Sequence, residues 1–385
     1  MVLVARAQKF PLKLKKLVSH NPIMPKLTPS RLRLARKRRG LTKIILAEKV
    51  GVDRKMVGAY EAGESAPSED VMAQIVAALE FPLEFFFGDD LDEPSVKSGS
   101  FRAMTKMRIP QRDMALSQAA LGIHLSDWLS RKFALPSEQI PNLGREPDPE
   151  MAAEFVRREW QLGALSIRNM IHLLESKGAR VFSLAVDARE VDAFSMWKGN
   201  IPYIFLNTNK TSEHSRFDAA HELGHLVLHK HGPPRGMEAE KQANAFASAF
   251  LMHRGSIIAH APRLPTYDTL VHLKRTWTVS VGALAYRLHG LSLMSDWQYR
   301  GVCIEIAKRG KSVEPNEAPR ESSLFLPKML GALYEEGITR SQIAKELAIP
   351  VAELEQLLFG LAMTGIKGGG RPTSSPSKPG LSRVK

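Results

Sequence analysis

The 385-residue sequence contains a single cysteine, Cys303, and no long run of apolar residues. One cysteine forms neither an intrachain disulfide nor a cysteine-based zinc site, and this scarcity fits a reducing cytoplasm, which is the expected location. No stretch approaches the roughly 20 apolar residues that a membrane-spanning helix needs, so no membrane partner is expected. Since 44% of the residues are hydrophobic, the chain can form the two or three domains that its length predicts.

Acidic residues are also missing from the N-terminal part of the chain, where the first one is Glu48. Basic residues are frequent there, and the whole chain has a formal net charge of +14 and a pI of about 9.8. Such a charge favours a polyanionic partner, with nucleic acid as the first candidate. We interpret residues 1–27 as a flexible basic arm, or as the product of an upstream start codon.

Residues 30–64 contain the caps and the turn of a helix-turn-helix. Thr42 is placed to cap a second helix, Gly51 makes a tight turn, and Asp53 is placed to cap a third helix over residues 54–61. Two short helices joined in this way place the second of them in the major groove of DNA. The alternative is a helical bundle with a solvated basic face.

The order L-x-x-A-R-K-x-x-G-L-T, continued by the turn and the third helix, resembles the Xre-type helix-turn-helix family. The resemblance implies a five-helix domain at residues 28–90 that binds double-stranded operator DNA, and a homodimer, because operator-binding proteins with this motif are often dimers. It places four residues at the DNA, namely Lys43, Arg54, Lys55 and Ala59. Arg54 and Lys55 would reach base edges and Lys43 a phosphate. Gly58 departs from the family pattern, which leaves the sequence preference open.

Residues 91–148 are expected to form a linker and a helical segment. After them, two helices precede the strand ARVFSLAV, and DAFSMWKGNIPYIFLNTN predicts a hairpin that turns at Lys198-Gly199-Asn200. The predicted fold class is therefore mainly α, with a small antiparallel sheet inside an α+β part at residues 149–295. The edge strand of such a sheet commonly binds an extended peptide backbone.

The stretch RFDAAHELGHLVLH, residues 216–229, has the spacing of a zinc-peptidase motif. Ser215 and Asp218 form a capping pattern that predicts a helix start just before the motif. His221 and His225 then lie on one helical face, and both can reach one metal ion. Glu222 is turned by about 100° from His221, which places it to take a proton from a zinc-activated water during peptide-bond hydrolysis.

A third ligand is expected on the helix EKQANAFASAFLMH. Glu240 would complete a site of two histidines and one glutamate, and Asn244, one turn later, would orient one histidine from behind. Glu238 is the competing ligand, although it lies nearer the helix start. His229 is about 80° round the helix from His221, and we interpret it as structural.

The segments DAFS, IPYIFLN, RFDAAHELGHLVLH and E-x-x-A-N-x-F-A-x-x-F-L-M resemble the ImmA/IrrE family of metallopeptidases from about residue 150 to 290. The resemblance implies a zincin-like domain with Zn²⁺ bound by His221, His225 and Glu240. It also implies Glu222 as the catalytic base and, as substrate, a repressor of the helix-turn-helix type. The family usually has proline where this chain has His253, which is either an oxyanion donor or, as we favour, a surface substitution.

The C-terminal part repeats a helix-turn-helix layout twice. We interpret residues 273–295 as a packing unit, and residues 337–362 either as a further DNA- or dimer-contacting unit or as a plain helical cap. A helical region is expected over residues 296–366, and the tail 367–385 is disordered by composition.

Two hypotheses about function follow. The first is a DNA-binding transcriptional regulator with a fused zinc-dependent endopeptidase that cleaves a repressor or itself. The second is a DNA-binding repressor or antitoxin whose peptidase-like domain is a non-catalytic sensor or interaction module. A housekeeping peptidase with an incidental basic domain is less consistent with the complete DNA-binding pattern.

Overall fold

The structure is a computed structural model that describes residues 26–94, 108–146, 148–184, 193–230, 236–310 and 314–362. The predicted basic arm, apart from its last two residues, and the predicted disordered tail lie outside these ranges. Among the described residues, no helix is both long and apolar enough to cross a bilayer.

The chain is mainly helical, as predicted. Its N-terminal part consists of α1 (Pro29–Arg38), α2 (Lys43–Val50), α3 (Arg54–Ala62), α4 (Glu69–Leu79), the 3₁₀ helix Leu83–Phe87 and α5 (Ile109–Lys132). Its middle part consists of α6 (Pro149–Glu159), α7 (Met170–Ser176), β1 (Arg180–Ser183), β2 (Ala193–Lys198), β3 (Ile201–Leu206), α8 (Ser212–Leu228), α9 (Met237–Leu251), α10 (Arg254–His260), α11 (Tyr267–Leu273), the 3₁₀ helix Lys274–Thr276 and α12 (Val281–Gly290). Its C-terminal part consists of α13 (Asp296–Arg309), α14 (Phe325–Glu335), α15 (Arg340–Glu346) and α16 (Val351–Leu358).

The helix-turn-helix forms where the caps predict it. The hydroxyl of Thr42 accepts a hydrogen bond from the backbone N–H of Ile45 at 3.2 Å, and Asp53 accepts one from the N–H of Lys55 at 2.7 Å. Gly51 ends α2 with φ of 67°, in the left-handed region that glycine adopts without strain. Four α-helices and one 3₁₀ helix account for the five helices that were predicted here.

The helix-turn-helix domain is anchored to the rest of the molecule through α1. This helix packs along α5. Its last residue, Arg38, and the next residue, Arg39, bind α16. Glu353 of α16 is 1% exposed and accepts hydrogen bonds from Arg38 Nε at 2.7 Å and from Arg39 at 2.5 Å. Helix α16 also packs against β1 and α5. In the helix-turn-helix layout at residues 337–362, this face of α16 is therefore buried within the chain rather than presented to DNA.

The sheet has three strands in the order β1-β3-β2. Strands β2 and β3 form the predicted antiparallel hairpin, in which Lys198 pairs with Ile201 and Gly199 takes φ of 58° in the turn. The prediction of a wholly antiparallel sheet was wrong, because β1 pairs with β3 in parallel, with Val181 opposite Ile204. The hairpin places its second strand beside β1, and that strand runs in the same direction as β1.

Helix α8, which carries the His-Glu-x-x-His motif, begins earlier than predicted. Its N-cap is Thr211, whose hydroxyl accepts a hydrogen bond from the N–H of His214, so the helix starts at Ser212 and Ser215 lies inside it. The predicted start near Ser215 was wrong because Thr211, one turn upstream, supplies the cap.

Residues 314–323, which we name the carboxylate strap, fasten the C-terminal part to the middle of the chain. Three of its glutamates accept hydrogen bonds from backbone N–H groups at helix starts. The pairs are Glu314 with Val281 at 3.0 Å, Glu317 with Ser212 at 3.0 Å and Glu321 with Met170 at 2.8 Å. Carboxylates at these positions satisfy N–H groups that have no partner inside the helix and interact favourably with the helix dipole. The strap therefore helps to hold α7, α8 and α12 together.

Candidate metal centre and nucleic-acid interface

Helices α8 and α9 bring the three predicted metal ligands together. The Nε2 atoms of His221 and His225 lie 3.0 Å apart, and the carboxylate oxygens of Glu240 lie 3.7 Å from the first and 3.6 Å from the second. Ligands of a tetrahedral zinc ion, at about 2.0–2.1 Å from the metal, are separated by about 3.3 Å. The donor set and its spacing therefore fit one zinc ion. Glu238, the competing ligand, is exposed and lies outside this cluster.

The close packing of α8 against α9 depends on Gly224, between the two histidines. A Cβ atom at this position would lie 3.2 Å from both Cα and the carbonyl oxygen of Ala243, on the facing side of α9. A larger residue would push the helices apart, and Glu240 would move away from the histidines. Glycine at this place in the motif thus has a geometric role in assembling the ligands.

Each ligand histidine has a partner at its second ring nitrogen. His221 Nδ1 lies 2.9 Å from Asn244 Oδ1, which is the contact that the sequence predicted. His225 Nδ1 lies 2.9 Å from His229 Nδ1, and His229 Nε2 lies 3.1 Å from Gln242 Oε1. The sequence analysis did not identify Gln242, and no spacing rule would have selected it. The regular four-residue spacing of the three histidines is visible in the sequence. The contact that His229 makes with Gln242 depends on how α9 packs.

Glu222, the predicted catalytic base, is buried between α8 and the sheet. It is 3% exposed, and the hydroxyl of Ser195 on β2 donates a hydrogen bond to its Oε2 at 2.6 Å. Burial raises the pKa of the Glu222 carboxyl well above its usual value, and the negative charges of Asp218 and Glu240 raise it further, whereas the Ser195 hydrogen bond opposes the rise. Sequence analysis missed Ser195, although it ends the DAFS segment.

Burial shifts the pKa of His225 in the opposite direction. Burial, followed by the neighbouring His221 and His229, lowers the pKa of His225 well below its usual value. The neutral ring is the form that binds a metal ion, so the environment favours ligation.

Strand β2 is one of the two edge strands of the described sheet and packs on α8. Ser195 and Trp197 are two residues apart, so their side chains lie on the same face of the strand. Ser195 contacts Glu222, and the ring of Trp197 lies 3.6 Å from Nζ of Lys230, just after the end of α8. Residues 193–196 of β2 are buried, so this part of the strand is covered in the structure.

His253 lies away from this centre. It follows the end of α9, thirteen residues after Glu240, which corresponds to about 20 Å at the 1.5 Å rise of a helix. This distance argues against an oxyanion role and favours the alternative of a surface substitution.

Helix α3 lies on the side of the N-terminal domain that is predicted to face DNA. Arg54 and Lys55, at its start, are exposed, and Ala59, one turn later, is partly buried. Nζ of Lys43 lies 3.4 Å from a carboxylate oxygen of Glu61, and Arg36 binds the same carboxylate at 2.5 and 3.0 Å. A Cβ at Gly58 would lie 3.9 Å from the same Nζ, which is an ordinary van der Waals contact, so the space around Gly58 does not explain this departure from the family pattern.

An exposed recognition helix and a His-His-Glu cluster define a helix-turn-helix protein with a metallopeptidase-like centre. Residues 32–86 match the family model described as Helix-turn-helix, and residues 174–289 match a peptidase family model described as IrrE N-terminal-like domain. The chain therefore combines an Xre-type helix-turn-helix domain, which implies DNA binding, with an IrrE N-terminal-like domain that contains the whole His-His-Glu cluster. A comparison with curated proteins found no match.

Proposed function

We propose that this protein is a DNA-binding transcriptional regulator whose middle domain is a zinc-dependent endopeptidase. Its substrate would be a repressor-type protein or the chain itself. The observation that carries the proposal is the cluster of His221, His225 and Glu240 next to Glu222, inside the IrrE-like match. We further propose that it acts in the cytoplasm, as a homodimer on an operator with two-fold symmetry.

The side chains of the centre have separable tasks in hydrolysis. His221 and His225 would offer Nε2, and Glu240 a carboxylate oxygen, to the zinc ion. When bound, zinc supplies Lewis-acid activation of water and of the peptide carbonyl. The raised pKa of Glu222 suits a carboxyl that takes up a proton and then passes it to the leaving amine. Before substrate binds, the Ser195 hydroxyl holds this carboxyl in place.

The DNA-binding half of the proposal rests on the exposure of α3. Arg54 and Lys55 extend from its start into solvent, whereas the back of the domain is covered by α5 and α16. An arginine at this position can bind guanine through two hydrogen bonds, which is the commonest base-specific contact. Lys43 would supply a phosphate contact, because its side chain is 42% exposed and the Glu61 carboxylate beside it is already bound by Arg36.

A second function has one observation in its favour. Glu222 is buried and engaged by Ser195, so its carboxyl does not face solvent in the observed arrangement. This geometry also suits a repressor or antitoxin in which the metal centre senses zinc or binds a partner without cleaving it. The two functions differ in one outcome, the dependence of cleavage on Glu222.

The experiment compares wild type with Glu222→Gln and His221→Ala. Atomic emission measures zinc, electrophoresis measures fragments of purified Xre-type repressors and of the chain itself, and footprinting measures operator occupancy. We expect about one zinc per chain in wild type and in Glu222→Gln, and loss of zinc in His221→Ala. Fragments should form with wild type alone. Wild type and Glu222→Gln that behave alike would rule out catalysis and leave the non-catalytic function.

A further inference from the structure

We propose that His229 is a positioning residue of the metal centre, which holds His225 in the tautomer whose Nε2 is free to bind the ion. The inference deepens the proposed metal site and rests on it. His229 is one helical turn beyond His225 on α8, and its ring is tilted against that of His225 with the centroids 5.1 Å apart.

Both ring nitrogens of His229 are in use. Its Nδ1 lies 2.9 Å from His225 Nδ1, and its Nε2 lies 3.1 Å from the amide oxygen of Gln242 on α9. His229 is therefore not arranged as a fourth metal ligand. Among the described residues, the group that can bind one ion consists of His221, His225 and Glu240 without it.

The hydrogen-bond chain determines where the protons lie. An amide oxygen only accepts, so His229 carries its proton on Nε2 and donates it to Gln242. The Nδ1 of neutral His229 then has a lone pair and accepts a hydrogen bond from His225, whose proton is therefore on Nδ1. Nε2 of His225 therefore carries no proton, and this is the atom that faces His221 and Glu240.

The opposite arrangement is incompatible with metal binding. If the Gln242 amide donated to His229, the proton between the two rings would belong to His229 Nδ1. His225 would then carry its proton on Nε2, where it would block the metal-binding lone pair. Metal binding through Nε2 of His225 therefore requires the first arrangement.

Helix α9 sets both ligand tautomers. Asn244 accepts directly from His221 Nδ1, whereas Gln242 acts on His225 through His229. The difference follows from position, because His225 lies one turn further along α8 than His221. The same helix contributes the ligand Glu240, so a single element supplies one ligand and two orienting amides. Partners of this kind fix the ring orientation of metal-bound histidines and raise their affinity.

The test compares three substitutions with wild type. His229→Leu removes the acceptor, His229→Asn keeps an oxygen close to the position of Nδ1, and Gln242→Leu keeps His229 but removes what sets its tautomer. Zinc affinity is measured by competition with a chromophoric chelator, and circular dichroism of the metal-free proteins verifies that each variant is folded. We expect 10–100-fold weaker zinc binding for His229→Leu, near-wild-type binding for His229→Asn and an intermediate loss for Gln242→Leu.

Proton positions give a second readout. Long-range ¹H–¹⁵N spectra of the zinc-loaded protein should show protons on Nδ1 of His225 and on Nε2 of His229. Equal zinc affinity of wild type and folded His229→Leu, or a proton on His229 Nδ1, would overturn the inference and leave the metal site intact. Wild type that takes up no zinc would overturn the proposed metal site and this inference together.

Discussion

Glu353 accepts a hydrogen bond from Arg38 across 315 residues of chain, at 2.7 Å and with both side chains almost fully buried. Arg38 belongs to the DNA-binding domain, and Glu353 belongs to the last helix of the described chain. The pair therefore joins the two ends of the molecule, and Arg39 adds a second contact to the same carboxylate.

Removing this carboxylate should loosen the DNA-binding domain. Glu353→Ala leaves Arg38 buried without its charge partner, which typically costs about 3–5 kcal/mol. We expect differential scanning calorimetry to show a transition of the N-terminal domain at lower temperature than that of the rest. Glu355→Ala is the matched control, because Glu355 is exposed on the same helix. A single transition at the wild-type temperature in Glu353→Ala would show that the pair does not couple the domains.

The ion pair between Glu150 and Arg287 predicts a pH-dependent contribution to stability. Two hydrogen bonds at 2.7 and 3.0 Å join α6 to α12, and the pKa of Glu150 is lowered, first by these bonds to Arg287. A carboxyl with a lowered pKa stabilises the fold above its usual pKa, and this stabilisation is lost as the pH falls through the lowered value. Glu150→Gln should reduce the free energy of unfolding by about 1–3 kcal/mol at pH 7, and the difference should shrink as the pH falls through the lowered pKa of Glu150.

Urea denaturation of wild type and Glu150→Gln at several pH values measures this difference. Glu159→Gln, on the exposed side of the same helix, provides the control for charge alone. A difference between wild type and Glu150→Gln that stays constant from pH 7 to pH 3 would contradict the assignment to the ionised pair.

Two glycines should respond oppositely to alanine. Gly178 has φ of 88°, and a Cβ there would lie 2.5 Å from the carbonyl oxygen of Ser137. Gly178→Ala should therefore destabilise the protein by at least about 1–3 kcal/mol. Gly301 lies in α13 with nothing within 4 Å of the added Cβ, so Gly301→Ala should stabilise by about 1 kcal/mol. Urea denaturation curves with shifts of the same sign would contradict this reading of the two environments.

DNA-binding measurements on two variants should distinguish the base contact of Arg54 from the phosphate contact of Lys43. Arg54→Ala should cost about 1–3 kcal/mol on the operator and less on unrelated DNA. Lys43→Ala should weaken binding to both and reduce the salt dependence. Fluorescence anisotropy at several salt concentrations measures both variants, with Lys241→Ala on α9 as the distant control. An Arg54→Ala protein with unchanged operator preference would exclude α3 as the reading helix.

Features that depend on neighbouring residues could be predicted from the sequence. Caps such as Thr42 and Asp53 act within three residues, and the spacing of His221 and His225 within one helical turn decides that they share a face. The meeting of Glu240 with these histidines depends on how α9 packs on α8. Short-range rules were therefore sufficient for the helix-turn-helix and for the shared face of the two histidines.

Features that depend on how distant elements meet could not be predicted. The parallel pairing of β1 with β3 is decided by where the hairpin docks, and the early start of α8 is decided by Thr211 rather than by the more conspicuous Ser215. The contact of Ser195 with Glu222 joins a strand to a helix 27 residues later, and no local pattern specifies it. The roles of Gln242 and Glu353 also emerge only from packing.

The packing of α1 along α5 has a consequence for the proposed cleavage of a second protein on DNA. A chain bound to an operator would carry its metal centre at a fixed displacement along the duplex, because the DNA-binding domain is seated on the rest of the protein rather than tethered to it. A second protein bound to the DNA at that displacement would meet the metal centre at a higher effective concentration than the same protein diffusing freely. The order of binding sites along the DNA would then select the substrate, and the metal centre itself would need little sequence preference.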